Sequence, residues 1–442
     1  MIKSFCPGLF VLLALSVTAF SQTTATEPLP KRSRVVVTNT LPPPTKIVQP
    51  TPRPTPIIVG NDEDEDSGPS EREDAGEKPI IVGGSTRQVA MDNSRSATGF
   101  STARALSFGE IKSKIAEARR DMMTRPQTTA LTDSSVGVVS VKVAFYNRKT
   151  NQIDFVSMTK DAYLSPTDLK QAISSSGKMM TIRTIRGNGV NTPLEIRDET
   201  GQAQLPLMVQ YPVEKGGRVI ETAYYMSTHP GLVTPEVVNA GKFYVRNVIE
   251  IARDRLKAKG VAIQPKVADI AERLATVEHV DHDRFRNEPA QNIFNDIFTL
   301  YALNEGQTYR YSVSSAGAGG MVQMIPSTYQ MIRSRYSNVG LMPDFVEGMR
   351  NHVNATQAML LYMQMTWNDL ASSPTITGAM AEGIATQEQL MAAGYNSNPA
   401  RLAGYINRGG ANWTSLIPAE TKIYLQIYGA LEKNVPMAFR TH

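Results

Sequence analysis

The stretch of residues 22–102 limits what this chain can fold into, because it offers very little apolar surface for a packed core. Proline clusters such as 50–56 favour extended polyproline conformations. Acidic residues then dominate positions 62–78, where like charges repel one another. We therefore predict a disordered tether over residues 22–102, so that the folded part begins near Ala103.

The first residues have the pattern of an export signal. Lys3 is followed by the short apolar segment 9–15, and small residues at 19 and 21 fit a signal-peptidase site. The apolar segment is shorter than the roughly 20 residues that span a bilayer. We predict a cleaved signal peptide over residues 1–21, with an uncleaved N-terminal anchor as the alternative. The protein is then periplasmic or secreted, without a transmembrane segment after signal removal.

The cysteine count excludes several kinds of functional site. Cys6, the single cysteine, precedes the apolar segment of the signal. Once the signal is removed, disulfides, a thiolate nucleophile and a cysteine-ligated metal are all excluded. We expect no cofactor and no bound metal.

The charge distribution indicates an anionic partner. The chain has a formal net charge of +5 although its acidic run is strongly negative, so the other residues are markedly cationic. A cationic body favours cell-wall polymers, lipid headgroups or nucleic acid. The basic residues are spread along the chain rather than clustered, and export also argues against nucleic acid, which is therefore not an expected partner.

A short repeat interrupts the tether. The sequence Pro-Ile-Ile-Val-Gly occurs at 56–60 and again at 79–83. Such apolar islands are able to dock on a partner protein as an added strand, and chance local stickiness is the alternative. Protein partners are expected through the tether or through residues 103–232.

Residues 103–232 show helical and strand patterns in turn. Residues 107–122 have helical spacing, with Ile111, Ile115 and Ala118 on one face. Strand patterns follow, with a hairpin across the polar turn at 147–151. We predict a small mixed α+β domain of unknown role, with strands at 136–145, 153–158, 180–185, 205–213 and 218–226.

Beyond residue 232 the pattern is helical. Thr234 is a favourable N-cap with Pro235 in the first turn, and this helix should end at Gly260. The chain is therefore predicted to be an α+β multidomain protein. Its helical part divides into a connector at 233–286 and an all-α domain at 287–442, with further helices at 265–279 and 291–304.

The block from Glu305 to Thr328 carries residues with catalytic potential. Glu305 closes an amphipathic helix, where a carboxyl is able to face a cleft, and a carboxyl in a partly apolar cleft suits general acid catalysis. The small residues at 314–320 let the backbone approach a ligand closely. Gln323 offers a donor and an acceptor for reading sugar hydroxyls and N-acetyl groups.

The spacing of this block resembles the signature of soluble lytic transglycosylases, which have a lysozyme-like fold. In that family a serine follows the glutamate by nine residues, as Ser314 follows Glu305, and Gly-Ala, Gly-Leu-Met-Gln and Met-Pro-x-Thr follow in order. No insertion interrupts the spacing, although Gly306, Thr308 and Ile325 differ from the usual residues. The matching residues are Glu305, Ser314, Gly317, Ala318, Gly320, Met321, Gln323, Pro326 and Thr328.

A second block supports the resemblance. The family carries a Tyr-Asn pair and a later Leu-Pro-x-Glu-Thr-x-x-Tyr segment, which match Tyr395-Asn396 and residues 417–424. The resemblance covers roughly residues 287–431 and implies a C-terminal all-α lysozyme-like domain. It implies that Tyr395 orients or stabilises the reacting state. The implied substrate-binding residues are Ser314, Gly317, Ala318, Gln323 and Asn396.

The resemblance implies cleavage of the β-1,4 bond between N-acetylmuramic acid and N-acetylglucosamine in peptidoglycan glycan strands. Glu305, as the single general acid and base, then produces a 1,6-anhydro sugar. Ordinary glycosidases use two carboxylates, whereas no Asp or Glu occurs from Gly306 to Pro343. The alternatives are a non-catalytic peptidoglycan-binding or assembly protein with the same fold and a hydrolase of the goose-lysozyme type.

Three other features have simpler interpretations. His279 and His282 lie in an acidic segment with the spacing of metal ligands, but most such clusters are solvated helix ends. Glu420 is expected to stabilise a helix start. Of Trp367 and Trp413, one is expected to be buried and the other to lie at the surface.

Overall fold

The computed structural model describes residues 106–124, 139–165, 169–215 and 217–441, together with the backbone of β1 (Val36–Val37). The predicted signal peptide at 1–21 and the rest of the predicted tether, including both Pro-Ile-Ile-Val-Gly segments, lie outside these residues. The described part is a mixed α+β structure, as predicted. None of its helices combines the length and the apolarity that crossing a bilayer requires.

An antiparallel sheet organises the described residues before residue 227. Its strands are β2 (Ser140–Asn147), β3 (Gln152–Thr159), β4 (Lys170–Ile173), β5 (Met179–Thr184), β6 (Leu194–Asp198), β7 (Ala203–Lys215) and β8 (Arg218–Met226). They lie in the order β3-β2-β7-β6-β5-β4, and β8 also pairs with β7. The predicted hairpin is confirmed, since Ser140 pairs with Thr159 and Asn147 with Gln152. A short helix, α2 (Lys160–Leu164), follows it.

The helix α1 (Phe108–Thr124) packs on this sheet. Its residues Ile111, Ile115, Ala118 and Met122 are buried, because their helical spacing places them on one face. They share a core cluster with the β7 residue Leu207. The helix predicted from this spacing is therefore confirmed.

The chain beyond residue 233 is mainly helical. The Thr234 hydroxyl accepts the Val237 N–H, and Pro235 follows it, so the predicted helix start is confirmed. Helix by helix the order is α3 (Pro235–Ala258), α4 (Pro265–Val277), α5 (His282–Asn287), α6 (Ala290–Asn304), α7 (Pro326–Arg335), α8 (Phe345–Arg350), α9 (His352–Ala371), α10 (Pro374–Ala381), α11 (Gln387–Asn396), α12 (Leu402–Gly409) and α13 (Ala419–Asn434). A two-residue strand, β9 (Ser312–Val313), lies between α6 and α7 and pairs with β1.

Helices α3 and α6 pack backbone to backbone at Gly241. A Cβ added there would lie 1.9 Å from the carbonyl oxygen of Phe298, so a side chain forces the two helices apart. We expect Gly241→Ala to lower the free energy of unfolding in urea by about 1–3 kcal/mol. Gly429→Ala on α13 is the control, because a Cβ there meets nothing within 4 Å. The control should be neutral or stabilising by about 0.5–1 kcal/mol, and equal stability of the two variants would contradict the prediction.

Both tryptophans are buried, so the expectation of one surface tryptophan was wrong. Trp413 is 1% exposed and Trp367 is 9% exposed. Trp367 belongs to α9, which is buried along most of its length because other helices pack around it. Trp413 donates its Nε1–H to the carbonyl of Ile384 at 3.3 Å, so its polar atom is satisfied within the core.

Candidate active site

Glu305 stands at the carboxyl end of α6. Its backbone N–H donates to the carbonyl of Tyr301, and a 3-10 turn, Glu305–Gln307, follows. Its φ of 45° lies in the left-handed region, a conformation that costs a non-glycine residue about 1–3 kcal/mol. The helix-terminal position was predicted from the sequence, whereas the strained backbone was not.

Backbone strain is concentrated in this part of the chain. Among the described residues, the non-glycine residues with positive φ are Asn151, Glu305, Tyr309 and Gln323. Three of these four lie in the block that the sequence singled out. Such conformations persist only where the surroundings fix them, and they cluster at functional sites. The strain therefore supports placing the candidate site here.

The carboxylate of Glu305 forms an ion pair with Lys112 of α1. Lys112 Nζ lies 2.7 Å from Glu305 Oε1, and the side chains are 43% and 21% exposed, respectively. A pair this accessible contributes about 0–1 kcal/mol to stability. The sequence placed Lys112 on a helix but gave no sign of a partner 193 residues away.

A buried tyrosine and a buried histidine lie behind Glu305. His352 Nε2 is 2.6 Å from the carbonyl oxygen of Thr308, and His352 Nδ1 is 2.8 Å from the hydroxyl of Tyr244. Burial, and after it the charge of Glu305, raises the pKa of Tyr244 far above its ordinary value, so this hydroxyl keeps its proton. Neither residue was identified from the sequence.

The burial of His352 makes stability depend on pH. Burial lowers its pKa from 6.5 to about 4, so between these values the unfolded chain binds more protons than the folded one. The stability that neutral His352 contributes is present above about pH 6.5 and is lost as pH falls toward 4, by about 3 kcal/mol in total. His229 acts in the same direction, since burial also lowers its pKa to about 4.

Urea denaturation between about pH 7 and pH 4 measures this effect. His352→Gln keeps a donor for Thr308 but does not titrate, so its stability should fall less steeply with decreasing pH. A variant as pH-dependent as the wild-type protein would show that His352 does not carry the effect.

The loop after Glu305 is closed by residues that the sequence singled out. Ser314 N–H donates to the carbonyl of Ala318 at 2.9 Å, and Ser314 Oγ accepts the Ala318 N–H at 3.0 Å. Between them, Gly317 has a φ of 76°, which glycine adopts at little cost. Ser314, Gly317 and Ala318 therefore shape this loop, and their roles in substrate binding stay predictions.

Gln323 holds the base of the same loop. Its Nε2 donates to the carbonyl of Gly320 at 2.9 Å and reaches that of Ser312 at 3.5 Å. Gly320 has no room for a side chain, because an added Cβ would lie 2.2 Å from the carbonyl oxygen of Met349. In this structure the Gln323 amide nitrogen thus binds the backbone of its own loop.

The second sequence block lies against the first. The hydroxyl of Tyr395 donates to the carbonyl of Val322 at 2.6 Å, next to Gln323. Asn396 Oδ1 accepts the hydroxyl of Thr421 at 2.8 Å. Folding therefore brings the Gln323 loop, Tyr395 and Asn396 together, whereas the Glu305 carboxylate is bound by Lys112.

The segment 278–283 joins the end of α4 to the start of α5, as a helix end was expected to do, but it is only partly exposed to solvent. Glu278 is buried and accepts the hydroxyl of Tyr424 at 2.6 Å. The His279 ring stacks on Tyr309 with centroids 3.4 Å apart, and its Nε2 lies 2.9 Å from the carbonyl oxygen of Met321. The two His279 contacts therefore support the loop that follows Glu305. Within the described ranges, His, Cys, Asp and Glu form no group able to hold a metal ion.

The first carboxylates after Glu305 have structural roles. Asp344 caps α8, accepting the Glu347 N–H at 2.9 Å, and Glu347 forms an ion pair with Arg350 at 2.8 Å. Glu420 lies in the first turn of α13, as expected. Negative charge is favourable at these helix starts.

A cavity of about 310 Å³ lies beside the loop that follows Glu305. Tyr309 and Ser312 line it, but Glu305 does not. Charged residues of its lining pair with one another, since Arg186 and Arg284 each form an ion pair with Asp296 at 2.8 Å. The Glu305 carboxylate therefore lies outside this cavity.

Comparison with known proteins supplies no relative. No protein-family model, no curated protein and no solved structure matches this chain.

Proposed function

We propose that this chain is a peptidoglycan lytic transglycosylase, periplasmic or secreted, with Glu305 as its single general acid and base. The observation that supports this most is a carboxylate with 21% exposure at a strained helix end. The loop to which the resemblance points follows directly, and Tyr395 packs against it. On this proposal the helical domain at 287–442 is lysozyme-like and its substrate is the peptidoglycan glycan strand.

The proposed reaction has two proton transfers. Glu305 first donates its proton to the glycosidic oxygen, the bond from that oxygen to C1 of N-acetylmuramic acid breaks, and N-acetylglucosamine leaves with a new hydroxyl. The Glu305 carboxylate then accepts the proton of the C6 hydroxyl, whose oxygen bonds to C1. A 1,6-anhydro sugar forms, no water is consumed and Glu305 regains its proton.

Lys112 opposes the first proton transfer and stabilises its product. In the ion pair the Glu305 carboxylate carries no proton, so the pair must open before the first step. After that step the Lys112 ammonium stabilises the carboxylate that remains. The lysine side chain is long, flexible and 43% exposed, so this exchange does not require α1 to leave the sheet.

A single-carboxylate mechanism fits the acidic residues that follow Glu305 in the sequence. Ordinary glycosidases use two carboxyl groups about 5–10 Å apart across the bond. Here no acidic residue occurs from Gly306 to Pro343, and Asp344 and Glu347 are engaged at α8. We assign Tyr395 to orienting the reacting sugar. The proposed substrate-binding residues are Ser314, Gly317, Ala318, Gln323 and Asn396.

A non-catalytic peptidoglycan-binding protein is the second candidate. The observation that favours it is the ion pair, in which Lys112 neutralises the carboxylate that the reaction needs. The hydrogen bonds of Ser314 and Gln323 within their own loop fit this candidate as well.

Product analysis tests the proposal. Purified peptidoglycan sacculi are incubated with the full chain, and the released muropeptides are identified by mass spectrometry. A lytic transglycosylase releases anhydro products, each one water lighter than the reducing-end product of a hydrolase. Reducing-end products would indicate a muramidase of the goose-lysozyme type, and binding without release would indicate a binding protein. Either result overturns the proposal.

A further inference from the structure

We propose that Tyr244 and His352 form a positioning pair that fixes Glu305 for reaction. This inference rests on the proposed function, because it assigns Glu305 a catalytic role. It is carried by two buried hydrogen bonds that run from Thr308 through His352 to Tyr244, and by the position of the Tyr244 hydroxyl beside the turn at Glu305.

The turn after Glu305 is closed by Thr308. The Thr308 N–H donates to the carbonyl of Glu305 at 3.0 Å, and the Thr308 hydroxyl donates to the carbonyl of Leu300 at 2.9 Å. Thr308 is completely buried. The backbone of Glu305, which is strained, is therefore held in place by the position of Thr308.

The carbonyl of Thr308 determines the tautomer of His352. A carbonyl oxygen only accepts, so His352 Nε2, at 2.6 Å, carries the ring proton. Burial lowers the pKa of His352 to about 4, so the ring is neutral near pH 7 and Nδ1 is an acceptor. The Tyr244 hydroxyl, 2.8 Å from Nδ1, is therefore the donor.

The two hydrogen bonds end at Tyr244, whose hydroxyl lies beside the turn at Glu305. A Cβ added at Gly306 would lie 3.8 Å from the Tyr244 hydroxyl oxygen, so this oxygen lies at the turn itself. The Tyr244 ring packs edge-on against His352 with centroids 5.8 Å apart and stacks on Tyr301 at 6.1 Å. The pair thus connects the far side of the turn, at Thr308, with its near side, at Gly306.

These contacts fix the backbone at Glu305 and therefore restrict the positions that its side chain is able to adopt. A displacement of about 1 Å at a catalytic group costs on the order of 100-fold in rate, because the reacting atoms lose their alignment. Loss of the Tyr244 hydroxyl frees one side of the His352 ring and therefore loosens Thr308. The effect should fall on the chemical step rather than on substrate binding.

Tyr244→Phe removes only the hydroxyl and tests this role. Tyr428→Phe is the matched control, because Tyr428 is also buried and its hydroxyl lacks a hydrogen-bond partner within the described part of the chain. With solubilised glycan strands as substrate, we expect Tyr244→Phe to lower kcat by about 10- to 100-fold with KM nearly unchanged. The control should keep both constants.

A second readout does not depend on turnover. The carboxyl carbon of Glu305 is titrated by NMR in the wild-type protein and in both variants. We expect its midpoint to move by about half a pH unit or more in Tyr244→Phe and not to move in Tyr428→Phe. Should Tyr244→Phe not fold, His352→Gln, which retains a donor for Thr308, takes its place in both measurements.

The two measurements separate the failure of the function from the failure of the pair. A wild-type protein that releases no anhydro product refutes the proposed function, and the titration then decides the positioning role alone. Equal Glu305 midpoints in the wild-type protein and Tyr244→Phe overturn the inference. So does a Tyr244→Phe enzyme with the kcat of the control.

Discussion

Replacing Glu305 with glutamine is expected to lower the release of anhydro-muropeptides by about 100-fold or more, because the only proposed proton donor is lost. Glutamine has nearly the same shape, so the strained turn should survive the exchange. The variant also loses the ion pair with Lys112, which contributes about 0–1 kcal/mol at this exposure. The melting temperature should therefore change little, and muropeptide mass spectrometry with thermal unfolding measures both effects.

Glu382→Gln is a matched control for this experiment. Glu382 also ends a helix, α10, and is followed by a glycine, but it is exposed and lies outside the candidate loop. It should retain full activity. If Glu305→Gln released product as fast as Glu382→Gln, Glu305 would not be the catalytic acid.

Replacing Arg440 with leucine is expected to destabilise the protein by about 3–5 kcal/mol, the second large effect. The Arg440 side chain is 3% exposed, and its Nη1 lies 2.7 Å from Asp269 Oδ1. Its Nε donates to Glu250, and its Nη2 makes an ionic contact with Glu272 at 2.7 Å, outside hydrogen-bond geometry. Without the guanidinium, the carboxylates of Asp269 and Glu272, which are 5% and 13% exposed, lose a close positive partner, although Arg246 stays 3.4 Å from Glu272.

The pH dependence identifies the cause of this loss. Burial already raises the pKa of Glu272, so in Arg440→Leu this carboxylate gains a proton more easily in the folded state than in the unfolded one, and the loss relative to wild type should shrink as pH falls. Chemical denaturation near neutral and mildly acidic pH measures the difference. Arg401→Leu, which removes an exposed arginine, is the control and should stay within about 0.5 kcal/mol of wild type. A loss that does not change with pH would indicate lost packing instead of unpaired charge.

Local sequence signals predicted most of the longer elements. The cap at Thr234, the apolar face of α1 and the turn between β2 and β3 each depend on residues close together in the sequence. The strands β4 and β6 were missed because they are short and formed by pairing with β5. Lys170 in β4 illustrates this, since it is buried and its Nζ donates to Ser165 and Thr184. A lysine held in this way has no signature in a hydrophobic pattern.

For the candidate site too, some residues could be located from the sequence and others could not. Glu305 and its loop were located from spacing along the chain. Lys112, Tyr244 and His352 were not, because each acts across a long sequence separation: 193 residues between Lys112 and Glu305 and 108 between Tyr244 and His352. A single histidine at the start of α9 carries no pattern of its own. Only folding shows that it supports the turn at Glu305.

The close approach of α3 and α6 at Gly241 has a mechanical consequence. A Cβ at Gly241 would lie 1.9 Å from the carbonyl oxygen of Phe298, so the two backbones are in direct contact at this point. Asn304 is the last residue of α6, so α3 braces the helix that carries Glu305 at its end. Separation of the Glu305 carboxylate from Lys112 then depends on the side-chain torsions of these two residues, because the backbone of the turn is held by Thr308.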